Sequence, residues 1–384
     1  MNKRQIKHTK PVHSELPLGI EGRHLDDAAV WDILIYASVH GLTIEAACTE
    51  LASVSGNTVR EHLNDALDDS HAGVVALEQQ LNQGLLSQLP QRFRQQFRWK
   101  HYDVAIDLVE VAYHGQAQNE PNEVRRSKAK AGTTHFHTYA TLAVVHDHAR
   151  YELALTFVWA HETLVEVVNR LLLRAKILGV QIRRAYLDKG FCSSALFRFL
   201  RRHRIAYVIP VPLRGKALKA LCAGRRSYRT QYTFNADTPE AYTTDLVLVC
   251  KYSGGRRGHH RIEWLVYAVY AVDAIPPQQI HALYRRRFGI ESGYRQIHQV
   301  RAWTTSRNPA LRLLLMGLAL LLFNVYITLR QFWLTVRRFG NRNRRIWLTL
   351  KRLALWLARL IETRYQVTPL AQVAQSQFDA LSIS

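Results

Sequence analysis

An aspartate in the middle of an apolar β-run narrows the folding options of this chain more than any other feature. Residues 103–111 read Asp-Val-Ala-Ile-Asp-Leu-Val-Glu-Val, a composition that favours a strand. Asp107 stands among Ile106, Leu108 and Val109. A carboxylate there is unfavourable unless it has partners. Asp103 is the rival acid in this run, and exposure at the strand's start explains it more simply. Glu110 is assigned no role. Strand patterns recur at 138–145 and 151–158, joined by a tight connection at Asp147 and His148. Residues 162–177 then carry helix-spaced apolar positions at Leu164, Val168, Leu171 and Leu172. A strand at 181–187 runs straight into Asp188-Lys189-Gly190-Phe191. An acid at a strand end beside a glycine turn sits where α/β sheets place their ligands.

Three strands, a helix and a parallel strand form the order expected of a ribonuclease-H-like α/β core. A helix at 193–203 and a strand at 206–210 continue it. Residues 125–130, rich in Arg and Lys, read as a polar loop. Residues 215–273 interrupt the core with β-patterned runs at 228–234, 242–252 and 261–272, and Gly254-Gly255 marks a hairpin. In such a core the first and fourth strands are neighbours, so Asp107 and Asp188 come together.

Ahead of the core, residues 1–25 form a basic tail and 26–100 are helical in pattern. Thr43 caps a helix over 44–52, Ser53 to Gly56 make a turn, and Asn57 or Thr58 caps a third helix. Helix, glycine turn and capped helix resemble a helix-turn-helix, with Asn57, Thr58, Arg60 and His62 as its DNA readers. The formal net charge of +22 points to a polyanionic partner, nucleic acid before membrane surface. Seven basic residues within 337–352, in a helical C-terminal region 337–384, fit phosphate contact. Cys48, Cys192, Cys222 and Cys250 have no metal-ligand spacing and suit a reducing compartment. No apolar run follows the basic N-terminus, so no secretory signal is expected. Residues 313–329 are apolar enough to suggest a membrane span. The Asn308-Pro309 helix start and Asn324 favour a buried helix under the catalytic sheet.

The remaining stretch is 284–298. On a helix, residues seven apart share a face. Leu283, Ile290 and Ile297 then form an apolar stripe, with Tyr284, Glu291 and His298 beside it and Arg287 and Tyr294 adjacent. Tyr, two residues, Arg, three residues, Glu resembles the signature around the last acid of DDE transposases of prokaryotic insertion sequences. The resemblance covers about residues 100–330 and assigns the three acids to Asp107, Asp188 and Glu291. It places the catalytic core at 101–214 and 274–336, with 215–273 as the family's β-rich insertion. It implies magnesium or manganese, two ions held by those carboxylates. It also implies binding of terminal inverted repeats, strand cleavage and joining to target DNA, by a homodimer in the prokaryotic cytoplasm at the nucleoid. Neither a small-molecule cofactor nor a membrane partner is expected. Tyr284 and Arg287 would contact phosphates of the element's ends. Tyr294, Arg295 and Arg301 are further DNA-contact candidates. His298 stands where the family has a cation, a departure for which Arg295 or Arg301 would substitute. The alternatives are a transposase-derived DNA-binding protein with weakened chemistry and a nuclease on the same fold.

Overall fold

The computed structural model describes residues 16–22, 25–146, 149–254, 260–285, 296–333, 335–336, 345–346 and 348–367. Two compact units divide the chain: Met1–Gly84 with Arg295–Ser384, and Leu85–Tyr294.

The second unit is built on a nine-stranded sheet. Its strands are β1 (His101–Ala112), β2 (Arg125–Lys130), β3 (Thr133–His146), β4 (Ala149–Val158), β5 (Gln181–Leu187), β6 (Tyr207–Pro210), β7 (Tyr228–Phe234), β8 (Tyr242–Gly254) and β9 (His260–Tyr270). β1 pairs antiparallel with β3 and parallel with β5, β5 pairs parallel with β6, and β4 pairs with β3. That is the strand arrangement expected of a ribonuclease-H-like core. One expectation changes. The stretch 125–130 is a strand, not a loop. It lies at the sheet's edge, where alternating exposed Arg and Lys residues can pair without an apolar face. The β-patterned runs expected within 215–273 are strands. β9 pairs antiparallel with β6, so β9, β8 and β7 extend the same sheet.

Residues alternate between the two faces of each strand. On one face Ala105, Tyr186, Val208, Val247, Tyr267 and Val269 pack with Ile280, Leu283 and Tyr284 of the helix Pro277–Arg285. On the other, Tyr102 and Tyr151 meet the rings of Phe93 and Phe97. The helix Leu164–Ile177, closed at its start by a Thr163–Glu166 capping box, packs on β3 and β4.

The first unit is helical. Asp27–His40 is capped by Asp26 and ends at Gly41 in the left-handed conformation. Thr43 caps Ile44–Glu50, as expected. Ser55, rather than Asn57 or Thr58, caps Gly56–Ala66: its hydroxyl accepts from the Thr58 amide. Gly56 is therefore the first helical residue and not part of a turn. A Cβ there would lie 2.6 Å from the Glu45 Cα. Backbone cannot yield as a side-chain tip can, so Gly56→Ala is expected to lower stability by about 1–3 kcal/mol in denaturant titration.

The helix Pro309–Thr328 belongs to this unit. Asn308 caps it, with Pro309 in its first turn. By length and composition it could cross a membrane, yet Leu311 through Asn324 are all buried in the protein. A Cβ on Gly317 would come within 2.5 Å of Leu81, so the helix packs closely on His71–Ser87. Apolar residues on every side of a helix mean burial on every side.

Candidate active site

The β1–β5 register brings the first two acids together. The last matched pair is Ile106 with Leu187. One residue beyond it on each strand stand Asp107 and Asp188, on neighbouring parallel strands and both half-buried. Adjacent strands lie about 4.8 Å apart. Carboxylates on neighbouring strands suit a divalent cation held between them. The Leu108 amide donates to Asp107 Oδ1 at 2.9 Å. Asp188 opens the short Lys189–Phe191 turn, where the Phe191 amide donates to its carbonyl at 3.0 Å.

Tyr284 is placed inside the core and not at a phosphate-facing surface: it is only 4% exposed. Its ring packs on Tyr267 and Tyr186, and its hydroxyl donates to the Leu187 carbonyl at 3.2 Å. The helix Pro277–Arg285 is thereby tied to the residue just before Asp188. Arg287, Glu291, Tyr294 and Arg295 lie outside the described residues, so the third acid has no place assigned here.

His298 and Arg301 are described, in the first unit. Desolvation and the neighbouring Arg301 cation hold the His298 imidazole below the usual histidine range. Burial and that neighbour thus disfavour the charged imidazolium. Asn57 and Arg60 are exposed on the Gly56–Ala66 helix. Arg60 donates to Asn57 at 2.8 Å, and Asn57 donates to Glu61 at 2.8 Å. Thr58 is half-buried, with its hydroxyl 2.9 Å from that of Ser55.

Asp103 is not an exposed strand end. It is buried and accepts from Arg183 Nε (2.8 Å), Arg184 Nε (3.2 Å) and the Tyr186 hydroxyl (3.2 Å). An irregularity in the β1–β5 register at this point lets two consecutive arginines reach one carboxylate. Burial pushes its pKa up, but the two guanidinium groups outweigh that and hold it below the usual carboxylate range. Its stabilisation is fully present above the unfolded value and is lost as pH falls through the folded one. Asp103→Asn should therefore be less stable than wild type at pH 7, and the gap should close below about pH 4. Urea titrations at both pH values check this.

One neighbour escaped the sequence reading. Glu152 on β4 is fully buried and pairs with buried Arg150 at 2.6 Å. Burial lifts its pKa, the Arg150 charge and the Thr141 hydroxyl oppose that, and the charge of Asp107 adds to the rise. Thr141 is the residue opposite Asp107 in the β1–β3 ladder. The signal was present: Glu152 interrupts an apolar strand just as Asp107 does.

Adjacent carboxylates fit a hard divalent cation held by oxygen. Cys192, the nearest thiol in sequence to Asp188, is pushed up to about 11 by burial, so it offers no thiolate at neutral pH. Among the described residues, no group of three or more His, Cys, Asp or Glu side chains could hold a metal.

The family described as "Transposase DDE domain" matches residues 98–324. In fold, the chain is similar to piggyBac transposase, solved by cryo-EM as a synaptic complex with hairpin DNA. The TM-score is 0.50 at 12% identity, over 96% of this chain and 79% of that one. A search of curated proteins gives no match.

Proposed function

Because this chain belongs to the family of transposases with a DDE domain, we propose that it is the transposase of a prokaryotic insertion sequence. It binds the terminal inverted repeats of the element, cleaves the DNA at its ends and joins them to target DNA by cut-and-paste. The observation that supports this reading is that Asp107, within β1, and Asp188, just after β5, both directly follow the last parallel pair, Ile106 with Leu187.

Asp107, Asp188 and Glu291 would hold two magnesium or manganese ions. When bound, such ions activate an attacking water or 3′-hydroxyl and stabilise the leaving oxygen. The part of the chain itself is positioning. The Leu108 amide fixes one oxygen of Asp107. The Tyr284 hydroxyl ties its helix to Leu187, so the segment leading to Arg287 and Glu291 starts from a fixed point beside Asp188. Arg287, Tyr294, Arg295 and Arg301 engage phosphates, and Asn57, Thr58 and Arg60 read the element's ends. The +22 charge supplies sequence-independent, salt-sensitive attraction to DNA. The protein acts as a homodimer on paired ends, in the cytoplasm at the nucleoid, with no organic cofactor and no membrane partner.

The lowered pKa of His298 favours a second reading, a transposase-derived DNA-binding protein with weakened chemistry. Incubating a plasmid that carries the element's own ends with magnesium separates the two. Release of the ends by wild type and not by Glu291→Gln supports the transposase. Binding without cleavage by both proteins supports the second reading. Cleavage unconfined to the ends points to a nuclease on this fold.

A further inference from the structure

Residues 301–308 join the stretch ending at His298 to the Pro309–Thr328 helix, with neither helix nor strand of their own. Burial alternates along them. Ala302 and Asn308 face inward, at 3% and 5% exposure, while Trp303, Thr305 and Arg307 face solvent. Trp303 is 64% exposed.

Several hydrogen bonds hold this strap. The Trp303 amide donates to the Leu42 carbonyl at 2.8 Å. Arg312, only 6% exposed, donates from Nε to the Ser306 carbonyl at 2.6 Å and from Nη2 to the Thr304 carbonyl at 3.3 Å. Asn308 caps the next helix and donates to Asn64 at 3.3 Å. Burying a guanidinium is expensive unless it is well bonded, and this one is spent on the strap's backbone. The outward face is thus preorganised: an indole, a hydroxyl and a cation in a row.

An exposed indole on a backbone held in place, with an exposed arginine four residues on, suits a planar, polyanionic partner. Duplex DNA hides its base faces in the stack, so the indole can stack only on an unpaired or terminal base. We propose that Trp303, with Thr305 and Arg307, is a stacking platform for an unpaired base in bound DNA. The proposal rests on the function above only for the class of partner: strand cleavage at an element's end is a reaction that frees such bases.

The test uses the full chain and DNA of arbitrary sequence. A duplex with a short single-stranded overhang carrying 2-aminopurine is compared with the blunt duplex by anisotropy and by fluorescence quenching. Wild type should prefer the overhang and quench it. Trp303→Ala should lose about tenfold in affinity for the overhang alone, with the quenching gone. Trp303→Phe should keep most of both. Arg307→Ala should weaken both duplexes alike and flatten the salt dependence. Because the Trp303 side chain is exposed, the melting temperature of Trp303→Ala should match wild type. Undiminished overhang binding and quenching by Trp303→Ala overturns the proposal. So does an equal loss on both duplexes, or no preference and no quenching in wild type. Failure of the plasmid assay with overhang capture intact would remove the transposase reading and leave the platform standing.

Discussion

Asp188→Asn is expected to reduce strand cleavage by at least about 10³-fold, since charge stabilisation in such sites amounts to several kcal/mol. It should do so without unfolding the protein. Asp188 is half-buried and directly follows β5. Asparagine keeps the shape and loses the charge. Asp107 stands beside it, so removing one of two adjacent negative charges also relieves repulsion. The melting temperature in metal-free buffer should then equal or exceed that of wild type. The divergence should appear on adding magnesium or manganese. Wild type should gain stability by binding the ion in the folded state only, and Asp188→Asn should gain less. Cleavage rates and melting curves, with and without metal, give both readouts. Undiminished cleavage by Asp188→Asn would remove this residue from the active site.

Much of the second unit was legible in the sequence because its strands are strongly patterned. Asp107 and Asp188 stood out because acids at such positions are costly. What the sequence hides is the partner of each polar group, set by pairings between distant segments. Asp103 is buried because Arg183 and Arg184 reach it from β5, and no local pattern announces a pairing across that span. Tyr284 has an apolar ring and a polar tip. Whether that tip meets a phosphate or a carbonyl depends on where Leu187 lies. The Pro309–Thr328 helix was legible as buried, but uniform apolarity does not say against what. The edge strand at 125–130 carries no apolar alternation, so only its pairing with β3 reveals it. Ser55 and Asn57 are both good caps, and the close approach of Gly56 to Glu45 decides between them.

Glu152→Leu is expected to cost about 3–5 kcal/mol, because it leaves the buried Arg150 charge uncompensated. The complementary Arg150→Met change should cost a similar amount by stranding the carboxylate, part of which is recovered by protonation since the Glu152 pKa is already raised. The double variant Arg150→Met/Glu152→Leu should recover most of the loss, since apolar replacement of a whole buried pair is often neutral or stabilising. Denaturant titration of the four proteins closes the double-mutant cycle. If both single changes were nearly silent, the pair would be solvated and the burial assigned to it wrong. The pair reaches Asp107 through Thr141, whose hydroxyl bonds Glu152 and whose backbone faces Asp107. A double variant that is stable and cleaves as wild type would confine the pair to holding β3 and β4. One that is stable and cleaves poorly would show that a buried charge pair on β4 sets the carboxylate of Asp107.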